Sequence, residues 1–198
     1  MNQDIKKDYF WNTLSYGLYS AVSALLSVFV IKTIGKLEGG IFSFGFSTLA
    51  NQIYTISYFG LKTPHCIDVE KKFSFKEYLL HRYCTSLISL IIGIVYILIM
   101  FILQKNDAYK SIILSILIWH GVLEGFFDVY ESEYQRNNKL YIAGQALFFR
   151  TFIWTSIFLL LLITTRNITF STIVGMIVKF TIGYIFVSEE AKNIFYLM

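Results

Sequence analysis

Charge is scarce in this sequence. Only 15% of its 198 residues are Asp, Glu, Lys or Arg, while 56% are hydrophobic; ordinary globular domains carry about 25% charged residues. With a mean hydropathy of +0.58, the composition points to lipid as the solvent. Pro64 is the one proline, which excludes Pro-rich linkers and leaves long helices unbroken. Two cysteines, Cys66 and Cys84, are too few for a disulfide framework and lack the partners of a zinc site; they read as ordinary residues on a reducing face. The net charge is +4 but no run of five basic residues occurs, so nucleic acid is not expected as a partner. P-loop, His-Glu-x-x-His and Gly-x-Ser-x-Gly patterns are lacking. Transferases that handle phospholipid headgroups with paired metals need more carboxylates than Asp128 has beside it in Glu124, Glu131 and Glu133. No catalytic residue, metal or cofactor is therefore expected.

What the chain does have is apolar runs of about 20 residues, the length that crosses a bilayer as a helix. Six are placed near Phe10–Ile31, Ile41–Gly60, Tyr83–Leu103, Ser111–Tyr130, Tyr141–Ile163 and Phe170–Val187. The expected fold is an all-α polytopic membrane protein, residues 1–198 forming a single six-helix transmembrane bundle. The first span follows two lysines with no small-residue cleavage site, so it reads as a retained helix. The one long connection, Gly60–Arg82, is expected to include an interfacial helix, with Phe73, Phe75 and Tyr78 in the headgroup zone. Ten basic residues fall on one side: Lys6, Lys7, Lys62, Lys71, Lys72, Lys76, Arg82, Arg136, Lys139 and Lys192. Lys32, Lys36, Lys105, Lys110 and Arg166 fall on the other. The richer side is cytoplasmic by the positive-inside rule, which puts both termini inside.

The fourth run, Ser111–Tyr130, carries His120, Glu124 and Asp128. Spaced four apart, they form one stripe roughly 12 Å long. An ionised carboxylate near the bilayer centre costs about 2.5–3.5 kcal/mol, so the stripe is expected to face other helices or a wet cavity, as a structural ion pair or as part of a transport pathway. Two cations lie inside other runs. Arg150 is ~14 Å from the cytoplasmic end of its span, close to the ~15 Å of His120. Lys179 is midway along the last run, either meeting the stripe or snorkelling along its aliphatic stem to an interface. Glu131 and Glu133 are expected to cap or solvate the end of the fourth span. Asn51 and Gln52 supply neutral hydrogen bonds, either to a sugar or between helices, and Gly17, Ser20, Ala21 and Ala24 allow close helix approach.

Three stretches resemble Wzx-type polysaccharide flippases of the multidrug/oligosaccharidyl-lipid/polysaccharide exporter superfamily. They are Thr33-Ile-Gly-Lys-Leu-Glu-Gly-Gly-Ile-Phe-Ser43-Phe-Gly-Phe, Phe59-Gly-Leu-Lys62 with Asp68-Val69, and Glu124-Gly-Phe-Phe-Asp128-Val-Tyr with Gly144-Gln-Ala-Leu-Phe-Phe-Arg150. Lys62, His65 and Ile67 depart from that family's usual Arg, Gln and Ser. Family members generally have twelve or more helices in two bundles, so the resemblance covers one amino-terminal lobe. It implies flipping of an undecaprenyl-diphosphate-linked oligosaccharide across the bacterial cytoplasmic membrane for surface polysaccharide such as lipopolysaccharide O-antigen or capsule. It also implies partnership with membrane lipids and with a second lobe or a homodimer. The pathway residues would be Arg150, Lys179, Glu124, Asp128, His120, Asn51 and Gln52. Two alternatives stay open: a small-molecule-binding six-helix subunit of an energy-coupled importer, docking through Gly17, Ala21 and Ala24, or an inactive fragment.

Overall fold

The computed structural model describes the backbone of residues 3–195 and the side chains of residues 5–187; the side chain of Lys192, counted above for orientation, lies outside them. Among the described residues every regular element is helical. Helix α1 spans Gln3–Ile34, and Gly35, at φ 97°, turns the chain into α2, Lys36–Ser43. A π-helical segment, Phe44–Leu49, leads directly into α3, Ala50–Tyr58. The junction residues are all right-handed helical, so residues 36–58 form one continuous rod with a widened turn. The rod stops where Phe59 and Gly60 both adopt positive φ.

Short α4, Lys62–Ile67, precedes four long helices: α5, Phe75–Ile102; α6, Ala108–Arg136; α7, Leu140–Thr165; and α8, Ile168–Phe195. Their starts are written in the sequence. Ser74 and Glu77 form a reciprocal capping box on α5, which satisfies two otherwise orphaned amides. Asp107 accepts from the Lys110 amide at 2.7 Å to cap α6, and Asp8 of α1 accepts from the Tyr141 amide at 2.7 Å at the start of α7.

Five segments are long and apolar enough to cross a membrane: Ile5–Ile34, Phe75–Ile102, Ala108–Arg136, Leu140–Thr165 and Ile168–Val187. The chain is thus an all-helical, membrane-embedded polytopic protein. The run expected at Ile41–Gly60 is not among the five, because the π-helical turn divides it into shorter pieces. The expected interfacial helix is also redrawn. Residues from Phe75 onward belong to α5 itself, since the capping box starts the helix two turns earlier than hydropathy suggests; Tyr78 is buried.

Helix α6 is the axis of the bundle. Two thirds of its most apolar window is buried, 67% against 22% in α1, and α3, α4, α5, α7 and α8 all pack on it. Gly121 and Gly125 permit the closest of these approaches: a Cβ at either would collide with Ala50 or Ser57 of α3. Helices α5 and α8 turn broad apolar faces outward, through residues such as Ile88, Ile91 and Leu98 on α5 and Ile177 and Phe180 on α8. That is the face lipid requires. An aromatic plug of Phe42, Phe46, Trp154 and Phe158 fills the half of the bundle nearer α2. Below it α1 packs on α7 and α3 packs on α5 and α6. A fissure between α1 and α3 leads to the charged interior.

Candidate functional site

Helix α6 presents its charges to different neighbours. His120 and Asp128 are eight residues apart, and a helix turns 100° per residue, so their directions differ by about 80°. The expected single stripe therefore divides. All three members are buried: His120 at 6% exposure, Glu124 at 6% and Asp128 at 2%.

Glu124 faces α7 and α8. Its Oε2 accepts from Arg150 at 2.9 Å and its Oε1 from Lys179 at 2.5 Å. Lys179 does not snorkel: it is fully buried, its Nζ 3.2 Å from the His120 ring nitrogens and over the Trp154 ring. His120 is held edge-on by Phe46 and Trp154, both 5.1 Å away. Arg150 reaches a second carboxylate, Glu131, at 2.7 Å, and covers the ring of Phe127. The two intramembrane cations are brought to one carboxylate.

Asp128 faces α4 and α5 instead. Lys62 binds it at 2.5 Å and Arg82 at 3.2 Å. Arg82, counted above with the cytoplasmic loop residues, is 2% exposed inside the bundle and also donates to the carbonyl of Ser57. Neither Glu131 nor Glu133 caps or solvates the helix end; both are buried and paired. Glu133 binds His65 and Arg136, each at 2.8 Å, and Arg136 continues to Asp68 at 3.5 Å and to the Phe73 carbonyl at 2.9 Å. His65 stacks on Tyr78 with ring centroids 3.9 Å apart. The connection between α3 and α5 is thereby fastened along the last turns of α6.

Around these contacts the formal charges balance. Five carboxyl groups, Glu124, Asp128, Glu131, Glu133 and Asp68, meet five Lys and Arg side chains, Lys62, Arg82, Arg136, Arg150 and Lys179. Balance is what a low-dielectric interior demands, since a buried charge without a partner is far costlier than a paired one.

Two clefts reach this network from the fissure. One is lined by Tyr19, Asn51, Tyr54, His120, Glu124 and Thr151, the other by Tyr16, Lys62, Asp128, Glu131 and Arg150 among others. Each has room for at most a few waters, judged by the volume one water needs, so neither holds a sugar in this conformation. Thr151 Oγ1 is buried here with no partner among the described residues. Lys62, its side chain 28% exposed, is the most exposed cation of the network, and it also donates to the Tyr16 hydroxyl at 3.2 Å. Burial disfavours its charge, but Asp128 and Glu131 outweigh that and raise its pKa above the ordinary lysine value. The Asp68 carboxyl is held below its usual range: desolvation opposes this, and the Phe73 and Lys72 amides, Tyr78 and Arg136 overcome it.

Asn51 and Gln52 are exposed at the fissure mouth and do not join the charge network. Asn51 donates to the Ser47 carbonyl of its own helix at 2.9 Å. Among the described residues no three side chains of His, Cys, Asp or Glu converge as a metal ion would need, and both cysteines are free thiols. Sequence reasoning missed Lys62, Arg82, Glu131, Glu133 and Arg136 as parts of the site. Their pairing depends on how α4, α5 and α7 pack on α6, and no local pattern announces that. No family model, curated protein or solved structure matches the chain.

Proposed function

We propose that this chain is one lobe of a bacterial inner-membrane flippase that moves a lipid-linked oligosaccharide for surface polysaccharide synthesis, acting with a second lobe or a second copy. In this reading the rod of residues 36–58 is a sixth crossing, both termini are cytoplasmic, and the chain performs no catalysis. One observation carries the proposal. The rim of the α1/α3 fissure is polar and exposed, with Tyr16, Ser20, Thr48, Asn51, Gln52 and Thr55 turned outward. Such a face is unfavourable against hydrocarbon, and it suits a water-filled cavity closed by another bundle. At about 1.5 Å per residue the 23 residues of the rod measure ~35 Å, enough for a bilayer core.

The buried ion pairs behind the rim supply what an alternating-access lobe needs. Glu124 neutralises Arg150 and Lys179 while the clefts are closed, and Lys62 stands at the entrance for a diphosphate-sized anion. Midplane charge at the meeting of helices is a recurring place for transport sites. The test is genetic. Loss of the gene should cause lipid-linked sugar to accumulate, and this chain expressed alone should fail to restore surface polysaccharide to a matched flippase-deficient strain. Transport by a purified monomer of these residues would refute the half-transporter reading. Co-purification with an ATPase-driven partner would favour an importer subunit instead.

A further inference from the structure

We propose that the segment between α3 and α5, together with the first turn of α5, is a docking surface for anionic lipid headgroups. The segment is firmly placed. Three contacts tie it to the end of α6: His65 to Glu133 at 2.8 Å, Asp68 to Arg136 at 3.5 Å, and the Phe73 carbonyl to Arg136 at 2.9 Å. These contacts also fix its depth. Helix α6 has 29 residues, about 43 Å at ~1.5 Å per residue, and so exceeds the ~30 Å hydrocarbon core. The apolar run from Ile112 to Tyr130 alone fills about 28 Å of that core and the residues after it are polar, so the last turn, with Glu133 and Arg136, belongs in the headgroup zone, and so does whatever is bonded to it.

At that level the segment shows an amphipathic surface. Ile67, Val69 and Phe73 are 71%, 68% and 56% exposed, although none belongs to a membrane-spanning segment. Lys71, Lys72 and Lys76 are exposed beside them. The neighbouring carboxylates are largely engaged within the protein. Asp68 accepts from the Lys72 and Phe73 amides at 2.9 and 3.1 Å, and Glu77 is bound to Ser74 at 2.7 Å. Glu70 meets Lys72 in an exposed pair at 3.4 Å, while Lys71 and Lys76 have no ion-pair partner among the described residues. Large apolar side chains flanked by unpaired lysines at the bilayer surface fit a negatively charged interface. The apolar groups enter the acyl boundary and the ammonium groups meet phosphate. Arg136 offsets the charge of Asp68, so at this surface Lys71, Lys72 and Lys76 face only Glu70 and Glu77, and the exposed charge is positive by one.

The full chain tests this with Val69→Cys in a Cys66→Ser, Cys84→Ser background, labelled with an environment-sensitive dye and titrated in detergent with phosphatidylglycerol micelles. Emission should shift to the blue with phosphatidylglycerol and much less with phosphatidylcholine. Replacing Lys71, Lys72 and Lys76 together by Gln should weaken the response by about fivefold per lysine, roughly a hundredfold in all. Replacing all three by Arg should retain it, which separates loss of charge from loss of fold. Equal responses to the two lipids, or an undiminished response in the Gln variant, would overturn the proposal. So would competition by inorganic phosphate at matched phosphate concentration, which would mark a site for free anions.

Discussion

Glu124 bridges two cations that are not equally dependent on it, and this difference predicts an asymmetric rescue. Among the described residues Lys179 has no second carboxylate in contact, whereas Arg150 also holds Glu131 at 2.7 Å. Removing one partner of a buried pair costs about 3–5 kcal/mol, while replacing both by apolar groups of similar volume is often neutral. Glu124→Ala should therefore destabilise the bundle by that amount. For a domain of this size, with ~2–4 °C per kcal/mol, thermal unfolding in detergent should fall by roughly 6–20 °C. Adding Lys179→Met removes the charge left stranded and should recover most of the loss. Adding Arg150→Ala should recover little, because it strands Glu131 and leaves Lys179 unpaired. The assay is a thermal melt of six purified proteins, the parent, the three single variants and the two double variants, read as two double-mutant cycles. The reasoning is refuted if Glu124→Ala with Lys179→Met melts no higher than Glu124→Ala alone, or if the Arg150 double variant is the better rescued.

Three other outcomes are expected. In protein lacking Cys66 and Cys84, cysteines placed at Lys105 and Asn167 should react with an impermeant maleimide in intact cells and one at Lys72 should not; the reverse pattern would invert the proposed orientation. Gly121→Leu should force α3 from α6, where even a Cβ meets Ala50, at a cost of about 1–3 kcal/mol or more, seen as a lower melting temperature; an unchanged melt would contradict the close packing. The carboxyl of Asp68 has a lowered pKa, so its contribution is present above the ordinary carboxylate range and is lost as pH falls through the lowered folded value. Amide exchange in residues 62–74 should thus accelerate on acidification, and Asp68→Asn should be fast already at neutral pH; equal exchange in the two proteins at neutral pH would refute the assignment.

Much of the architecture could be read from composition, because hydropathy over about 20 residues reports on one helix and its solvent without reference to the rest of the chain. The five long apolar helices and the burial of His120, Glu124 and Asp128 are of this kind. Some local signals were present but weaker than hydropathy. Ser74-x-x-Glu77 encodes a helix start, and Gly121-x-x-x-Gly125 encodes a close helix contact. The widened turn at Phe44–Leu49 carries no proline and no charged residue that would mark it in the sequence.

By itself, then, the sequence determined that the chain is helical, that it lives in lipid, and that its interior charges must find partners there. Which partners they found was decided by tertiary structure. Lys179 reads equally well as snorkelling or buried until α8 lies beside α6, and only that packing puts its Nζ on Glu124. Arg82 and Lys62 count as loop charges until α5 packs on α6 and α4 folds back along it, each bringing one cation to Asp128. Glu131 and Glu133 look like a solvated helix end until Arg150, His65 and Arg136 close over them. The physical reason is that burial cost is fixed by a residue's own chemistry, which the sequence states. Apart from Arg136 on Glu133, three positions along the same helix, the compensating groups come from residues 19 to 68 positions away, and their distance is set only when the helices pack.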